Sequence, residues 1–135
     1  MIVRNALMED KRAVKNLLET YGLESDFNPK ECLVAVEDKR IVGCVRLKDF
    51  GSFYELAGLA VEAESQGQGI GEALVKKALE GAGNKPVYCL TVEPGFFMKY
   101  GFKKIEGVDL PKKLGEKVGF CMATGAEWTG MVRNP

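Results

Sequence analysis

Gln66 is followed by three glycines at alternate positions, Gly67, Gly69 and Gly71, and then at once by an amphipathic segment. A strand-like run, Tyr54 to Val61, lies in front of them. A strand that breaks into a Gly-rich turn and opens a helix suits a pyrophosphate. Backbone N–H groups point outward, no Cβ blocks a close approach, and the helix N-terminus carries partial positive charge. A dinucleotide loop needs G-x-G-x-x-G after a first strand. Counted from Gly67 the last position here is Glu72, and the loop arrives near mid-chain after a run of hairpins. A Walker A loop needs a closing G-K-[ST], and none follows. The alternative to a phosphate site is a Gly-rich turn before an ordinary helix.

Other chemistry is narrowed by what the chain lacks. With no histidine there is no Ser-His or Cys-His pair. Cys32, Cys44, Cys89 and Cys121 are scattered without a C-x-x-C pair, which argues against zinc, so no metal is expected. Each lies in an apolar run, so buried, reduced thiols are expected. Carboxylates, tyrosine, thiol and backbone remain. The 19 basic residues balance 19 acidic ones, which leaves no global electrostatic footprint for nucleic acid. Lys103-Lys104 and Lys112-Lys113-Lys117 make the C-terminal third locally basic, a solvated face or a contact for phosphates. No apolar stretch approaches membrane length, and no signal peptide precedes the first strand-like segment. The expectation is a cytoplasmic protein without a membrane or nucleic-acid partner.

The elements that must position the glycine turn follow from pattern. Residues 2–6 read as a first strand, and Val14, Leu17, Leu18 and Tyr21 repeat with helical spacing between Glu9 and Tyr21, with Gly22 to end that helix. Ser25 to Lys30 is a loop or a short second helix. Cys32–Glu37 and Ile41–Leu47 form a hairpin around Asp38-Lys39-Arg40, and Phe53–Val61 is the third member of the meander. After the glycines, Ile70, Ala73, Leu74, Ala78 and Leu79 share one helical face. Val87–Val92 is strongly β-like, the run Phe96–Phe102 is a short helix stopped by Gly101, and strands are expected near Lys103–Glu106 and Val118–Ala123. At 135 residues the chain is expected to be one α+β domain with a mixed, mostly antiparallel sheet.

The pattern Q-x-x-G-x-G, Gln66 to Gly71, preceded by Leu59-Ala60-Val61, resembles motif A of the GNAT superfamily, the acetyl-CoA-dependent N-acetyltransferases. F-F-M-K-Y-G-F, Phe96 to Phe102, resembles motif B of the same superfamily and follows by one helix and one strand, as that family requires. Taken alone, motif B also reads as a helix stop with core aromatics.

The resemblance implies a central sheet flanked by helices, with a splay between its two central strands. It implies an enzyme that binds acetyl-CoA through Leu59, Ala60, Val61, Gln66, Gly67, Gln68, Gly69, Ile70 and Gly71, with Phe97 in the coenzyme-binding set. The Val61 N–H is the implied donor to the thioester oxygen, and Gly58 marks a bulge or simply close packing. Glu55 is the implied base. It lies six residues before Val61, so period-2 geometry puts both side chains on one face, about 20 Å apart along an ideal strand. That length argues for relay through water; the alternative is a strand glutamate facing solvent. Glu93 is the second choice. Many members carry a tyrosine where this chain has Phe97, so the acid for the thiolate is either Tyr100 or absent.

The run LTVEPGFFMKYGF with Asp109-Leu110-Pro111-Lys112-Lys113 is similar to the amino-acid N-acetyltransferase branch. It implies transfer to the primary amine of a small molecule, an amino acid, in a ternary complex. The alternatives are a protein-lysine or N-terminal acetyltransferase, or a non-catalytic acyl-CoA-binding module. Related domains form dimers, so a homodimer is a further expectation.

Overall fold

The computed structural model describes residues 1–114 and 127–135. The chain divides into two compact units. The first is Met1–Lys48 with Leu56–Ala82, and the second is Asp49–Glu55 with Gly83–Pro135.

In the first unit, strand β1 (Ile2–Asn5) leads into helix α1 (Lys11–Thr20). Strands β2 (Cys32–Glu37) and β3 (Arg40–Asp49) form a hairpin, and strand β4 (Tyr54–Val61) ends in this unit. Helix α2 (Ile70–Glu80) completes it. The strands neighbour one another in the order β1-β2-β3-β4, with β1/β2 and β2/β3 antiparallel. The hairpin turns on Asp38 and Lys39, both at positive φ (49° and 65°), so Glu37 pairs with Arg40. That is a two-residue turn whose twist matches the strands, built here without glycine.

Helix α1 starts from a 3-10 turn, Met8–Asp10, where Asp10 accepts from the Leu7 N–H at 2.7 Å and pairs with Arg4 at 2.7 Å. The hydrogen bond from Arg4 holds the Asp10 carboxyl below its ordinary range. The helix ends as its sequence predicts. Gly22 takes φ +66°, and the N–H of Leu23 bonds the Leu18 carbonyl at 3.0 Å, a Schellman stop. Val14 and Leu18 are fully buried among Phe27, Cys32, Val34, Cys44 and Ala60. Complete burial of a side chain such as Leu18 contributes about 1.5–3 kcal/mol.

Helix α2 buries Ile70, Leu74, Val75 and Ala78. Its seat is Gly43: a Cβ there would lie 3.1 Å from both Ile70 and Leu74 side chains. Glu72, Lys76, Lys77 and Glu80 face outward as expected.

In the second unit the start of β4 runs beside strand β5 (Val87–Thr91). Helix α3 (Pro94–Met98), strand β6 (Lys103–Ile105) and strand β7 (Thr129–Arg133) follow. The neighbour order is β4-β5-β7-β6, with β4/β5 parallel and the other two pairs antiparallel. The parallel register holds Tyr54↔Val87 and Glu55↔Tyr88, and β4 runs on to Val61 beyond it. Mixed, mostly antiparallel pairing with flanking helices makes the fold α+β, as anticipated.

Two expectations shift at the C-terminal end. The strand expected at Val118–Ala123 falls outside the described residues. β7, which sits between β5 and β6, was not anticipated, because Gly130 interrupts its alternation. The glycine has a packing reason: a Cβ on it would meet the Leu110 side chain at 3.2 Å.

Candidate active site

The turn that leaves β4 is braced before the glycines begin. The N–H of Glu62 bonds the Val42 carbonyl at 2.9 Å, and a 3-10 turn, Ala63–Ser65, follows. Glu62 Oε1 takes an ion pair from Arg40 at 2.6 Å and a hydrogen bond from Ser65 Oγ at 2.9 Å. Gly67 and Gly69 then adopt φ +81° and +79°, and a Cβ on either would meet nothing within 4 Å. Backbone conformation, not crowding, therefore requires glycine at both positions. Gly69 is the N-cap of α2 and has no side chain to cap the first-turn N–H groups. N–H groups left without an N-cap side chain and the positive end of an eleven-residue helix are features that favour an anion. Gln66 and Gln68 are exposed, Gly71 is half-buried, and Ile70 anchors the turn in the core.

The end of β4 presents backbone. Leu59 is half-buried and Ala60 buried. Because the Glu62 N–H faces β3, the N–H and C=O of Val61 lie on the opposite edge, as successive residues of a strand alternate. Among the described residues, side chains take up the Val61 carbonyl. The Tyr21 hydroxyl donates to it at 2.7 Å and Gln66 Nε2 at 3.0 Å, and Gln66 Nε2 also donates to the Tyr21 oxygen at 3.0 Å. Gln66 holds the strand end through these bonds. Tyr21 was read only as part of an apolar repeat; forty residues separate it from Val61, and no local sequence signal connects them.

Gly58 is both a kink and a close approach. Its φ is +63°, and a Cβ would lie 2.7 Å from Arg46 Nε. Arg46 is buried, donating to the carbonyls of Asp26 at 2.9 Å and Glu24 at 3.3 Å. Sequence reading gave Arg46 no role. A left-handed residue inside a strand breaks the two-residue alternation. The parity that set Glu55 and Val61 on one face therefore does not carry across Gly58. Glu55, Leu56 and Ala57 are buried in succession.

In the second unit Glu55 is 1% exposed, so it is not a solvent-facing strand glutamate. Phe97 is buried, edge-on to Phe96 at 5.1 Å and to Phe102 at 5.7 Å between ring centroids. The Tyr100 ring lies 5.4 Å from that of Phe96, and its carbonyl accepts from Arg133 Nε at 3.1 Å. Glu93 is exposed, with its N–H on Thr91 Oγ1 at 2.9 Å. Cys32, Cys44 and Cys89 are buried as expected, and Cys121 lies outside the described residues. Burial pushes the thiols of Cys32 and Cys44 up to about 11 and about 12, which keeps both protonated near neutrality and unfit as nucleophiles.

The model of the acetyltransferase (GNAT) domain matches residues 28–104, more than half of the chain. This chain belongs to the GNAT acetyltransferase family. It is similar to an uncharacterized N-acetyltransferase of Chlorobaculum tepidum, 32% identical, with 88% of this chain and 86% of the relative covered. It is also similar to an amino-acid acetyltransferase of Mycobacterium tuberculosis, 29% identical over 87% of this chain and 76% of the relative. Among solved structures, Rv2747 of Mycobacterium tuberculosis in complex with CoA and a second bound molecule matches with a TM-score of 0.83. The identity is 25%, and 100% of this chain and 99% of that chain are covered. The GNAT chain is an acetyl-CoA-dependent acetyltransferase. Among its described residues no helix is long and apolar enough to cross a membrane.

Proposed function

We propose that this GNAT enzyme transfers acetyl from acetyl-CoA to the primary amine of an amino acid, by direct attack in a ternary complex. The observation that carries the coenzyme half is the turn from β4 into α2. Two left-handed glycines and an uncapped helix start follow a strand end whose Val61 carbonyl is held by side chains rather than by another strand. In this reading the N–H groups around Gly67–Gly71 take the pyrophosphate. Leu59, Ala60 and Val61 take the pantetheine arm, and the Val61 N–H polarises the thioester carbonyl, an oxyanion-hole role. The amino-acid half is supported by similarity to the amino-acid acetyltransferase and by the sequence from Leu90 to Lys113.

In the reaction the neutral amine attacks the carbonyl carbon, the C–N bond forms, and the C–S bond breaks with its electron pair going to sulfur. In this reading Glu55 is the base that takes the ammonium proton through water, and the second proton, shed by nitrogen as the amide forms, passes through water to the departed thiolate. The departing thiol has an ordinary pKa of about 8.5, so the thiolate leaves without a protein acid. Tyr100 is not required in this scheme.

The test is CoA release from acetyl-CoA with each of the twenty amino acids. Turnover on one of them, with Glu55→Gln lowering kcat by about 10²-fold or more at unchanged KM for acetyl-CoA, is the expected result. Silence across the panel, with acetyl-CoA still raising Tm, excludes an amino-acid acceptor and leaves a protein acceptor or a binding module.

A further inference from the structure

We propose that Tyr21 is a positioning residue for acetyl transfer, its hydroxyl pinning the Val61 carbonyl and thereby aiming the Val61 N–H. The inference rests on the oxyanion role given to that N–H above.

The argument starts from what each group can do. Residue 61 shows both backbone groups on the edge away from β3, since its neighbour Glu62 spends its N–H on Val42. The Val61 carbonyl and the Glu62 N–H share one peptide plane, held by Val42 on the β3 edge and by side chains on the other, and the Val61 N–H is set relative to that plane by φ and ψ of Val61. An oxyanion donor loses its value when it must reorient at the moment of reaction. The Val61 carbonyl is fixed from two elements, by Tyr21 at the end of α1 and by Gln66 at the start of the glycine turn.

Tyr21 stands on a rigid base. Its own N–H bonds the Leu18 carbonyl at 3.2 Å, Leu18 is fully buried, and the Schellman stop at Gly22 fixes the helix end. Yet Tyr21 is 39% exposed, so packing alone does not dictate where the hydroxyl goes. The hydrogen bonds do. The hydroxyl gives its single proton to Val61 and accepts from Gln66, which closes a three-membered set with Gln66 on the same carbonyl. A helix end, a strand end and the phosphate turn thus share one anchoring point.

The experiment compares Tyr21→Phe with the parent enzyme, using [1-13C]acetyl-CoA as probe. Isotope-edited infrared spectra report the polarisation of the bound thioester carbonyl without any acceptor, and kcat is measured on the acceptor that the parent turns over. Loss of one hydrogen bond of ordinary strength predicts a kcat about five- to tenfold lower. KM for acetyl-CoA should stay within about twofold, and the carbonyl stretch should move back toward that of free acetyl-CoA. Thr20→Val is the control, because the Thr20 hydroxyl bonds only the Asn16 carbonyl within α1; it should leave rate and spectrum unchanged. Gln66→Leu, acting on the same carbonyl from the other side, should shift the spectrum in the same direction.

A carbonyl polarised in the parent and equally polarised in both Tyr21→Phe and Gln66→Leu overturns the role of Tyr21 and leaves that of Val61 standing. A carbonyl not polarised in the parent overturns the Val61 role and this inference with it. A lower Tm with an unchanged spectrum makes Tyr21 a structural residue only, and also overturns it.

Discussion

The turn from β4 into α2 and the segment from α3 into β6 carry the two motifs of the GNAT family, yet they are made of different material. In the first, what the chain presents is backbone: N–H groups at the start of α2, two glycines at positive φ, and a strand end held by its carbonyl. Gln68 projects into solvent, and nothing lies near the positions where side chains at Gly67 and Gly69 would begin. In the second, the substance is side chain. Phe96, Phe97, Tyr100 and Phe102 pack ring against ring, and Gly101 at φ +88° turns the chain into β6. A site made of backbone tolerates changes of side chain but not of conformation. A packed aromatic cluster behaves the other way round.

The contrast can be broken by substitution, beginning where the effect is largest. Phe97→Ala removes a buried ring from the aromatic cluster and should cost about 3–5 kcal/mol of stability, read as a fall in the urea midpoint. Acetyl-CoA affinity, measured where the variant is folded, should change by less than about threefold, roughly what loss of one weak hydrogen bond would cause. A larger loss would make Phe97 a coenzyme contact as well as a packing residue, and the contrast between the regions would fail.

Gly69→Val forces a β-branched residue into left-handed space, at a cost of about 1–2 kcal/mol if the conformation is kept. Calorimetry should show acetyl-CoA binding weakened by about tenfold or more, because the turn avoids that cost only by losing its shape. Gln68→Ala is the smallest change expected. The Gln68 side chain is exposed, and if binding runs through backbone alone, affinity should stay within about twofold, the scale of an exposed substitution of about 0.5 kcal/mol or less. A marked loss on Gln68→Ala would show that the loop also binds through side chains.

Most of the fold was legible because its signals are local. Helical spacing from Val14 to Tyr21, the Gly22 stop, the hairpin at Asp38-Lys39 and the helix that Gly69 caps each depend on residues a few positions apart. The order of elements followed from them. β7 was missed because a short strand holding Gly130 has no alternation of its own; Leu110 supplies what the glycine lacks. The alternation argument for Glu55 failed for a related reason. A bulge residue is recognised by its φ, and the letter Gly58 alone is compatible with either a bulge or close packing.

What the sequence determined by itself was a glycine turn between a strand and a helix, its family and the absence of histidine chemistry. Those depend on residue type at fixed spacing, and glycine, glutamine and the missing histidine are visible as letters. The tertiary structure decided which groups hold that turn in place. Tyr21 reaches Val61 across forty residues of chain, Arg40 reaches Glu62 across twenty-two, and Arg46 fills the space that Gly58 leaves open. A hydrogen bond between distant residues depends on where two elements come to lie, and that position is set by burying the faces of α1, α2 and the strands around Leu18 and Leu74. Each partner, read alone, has many possible mates; packing selects one.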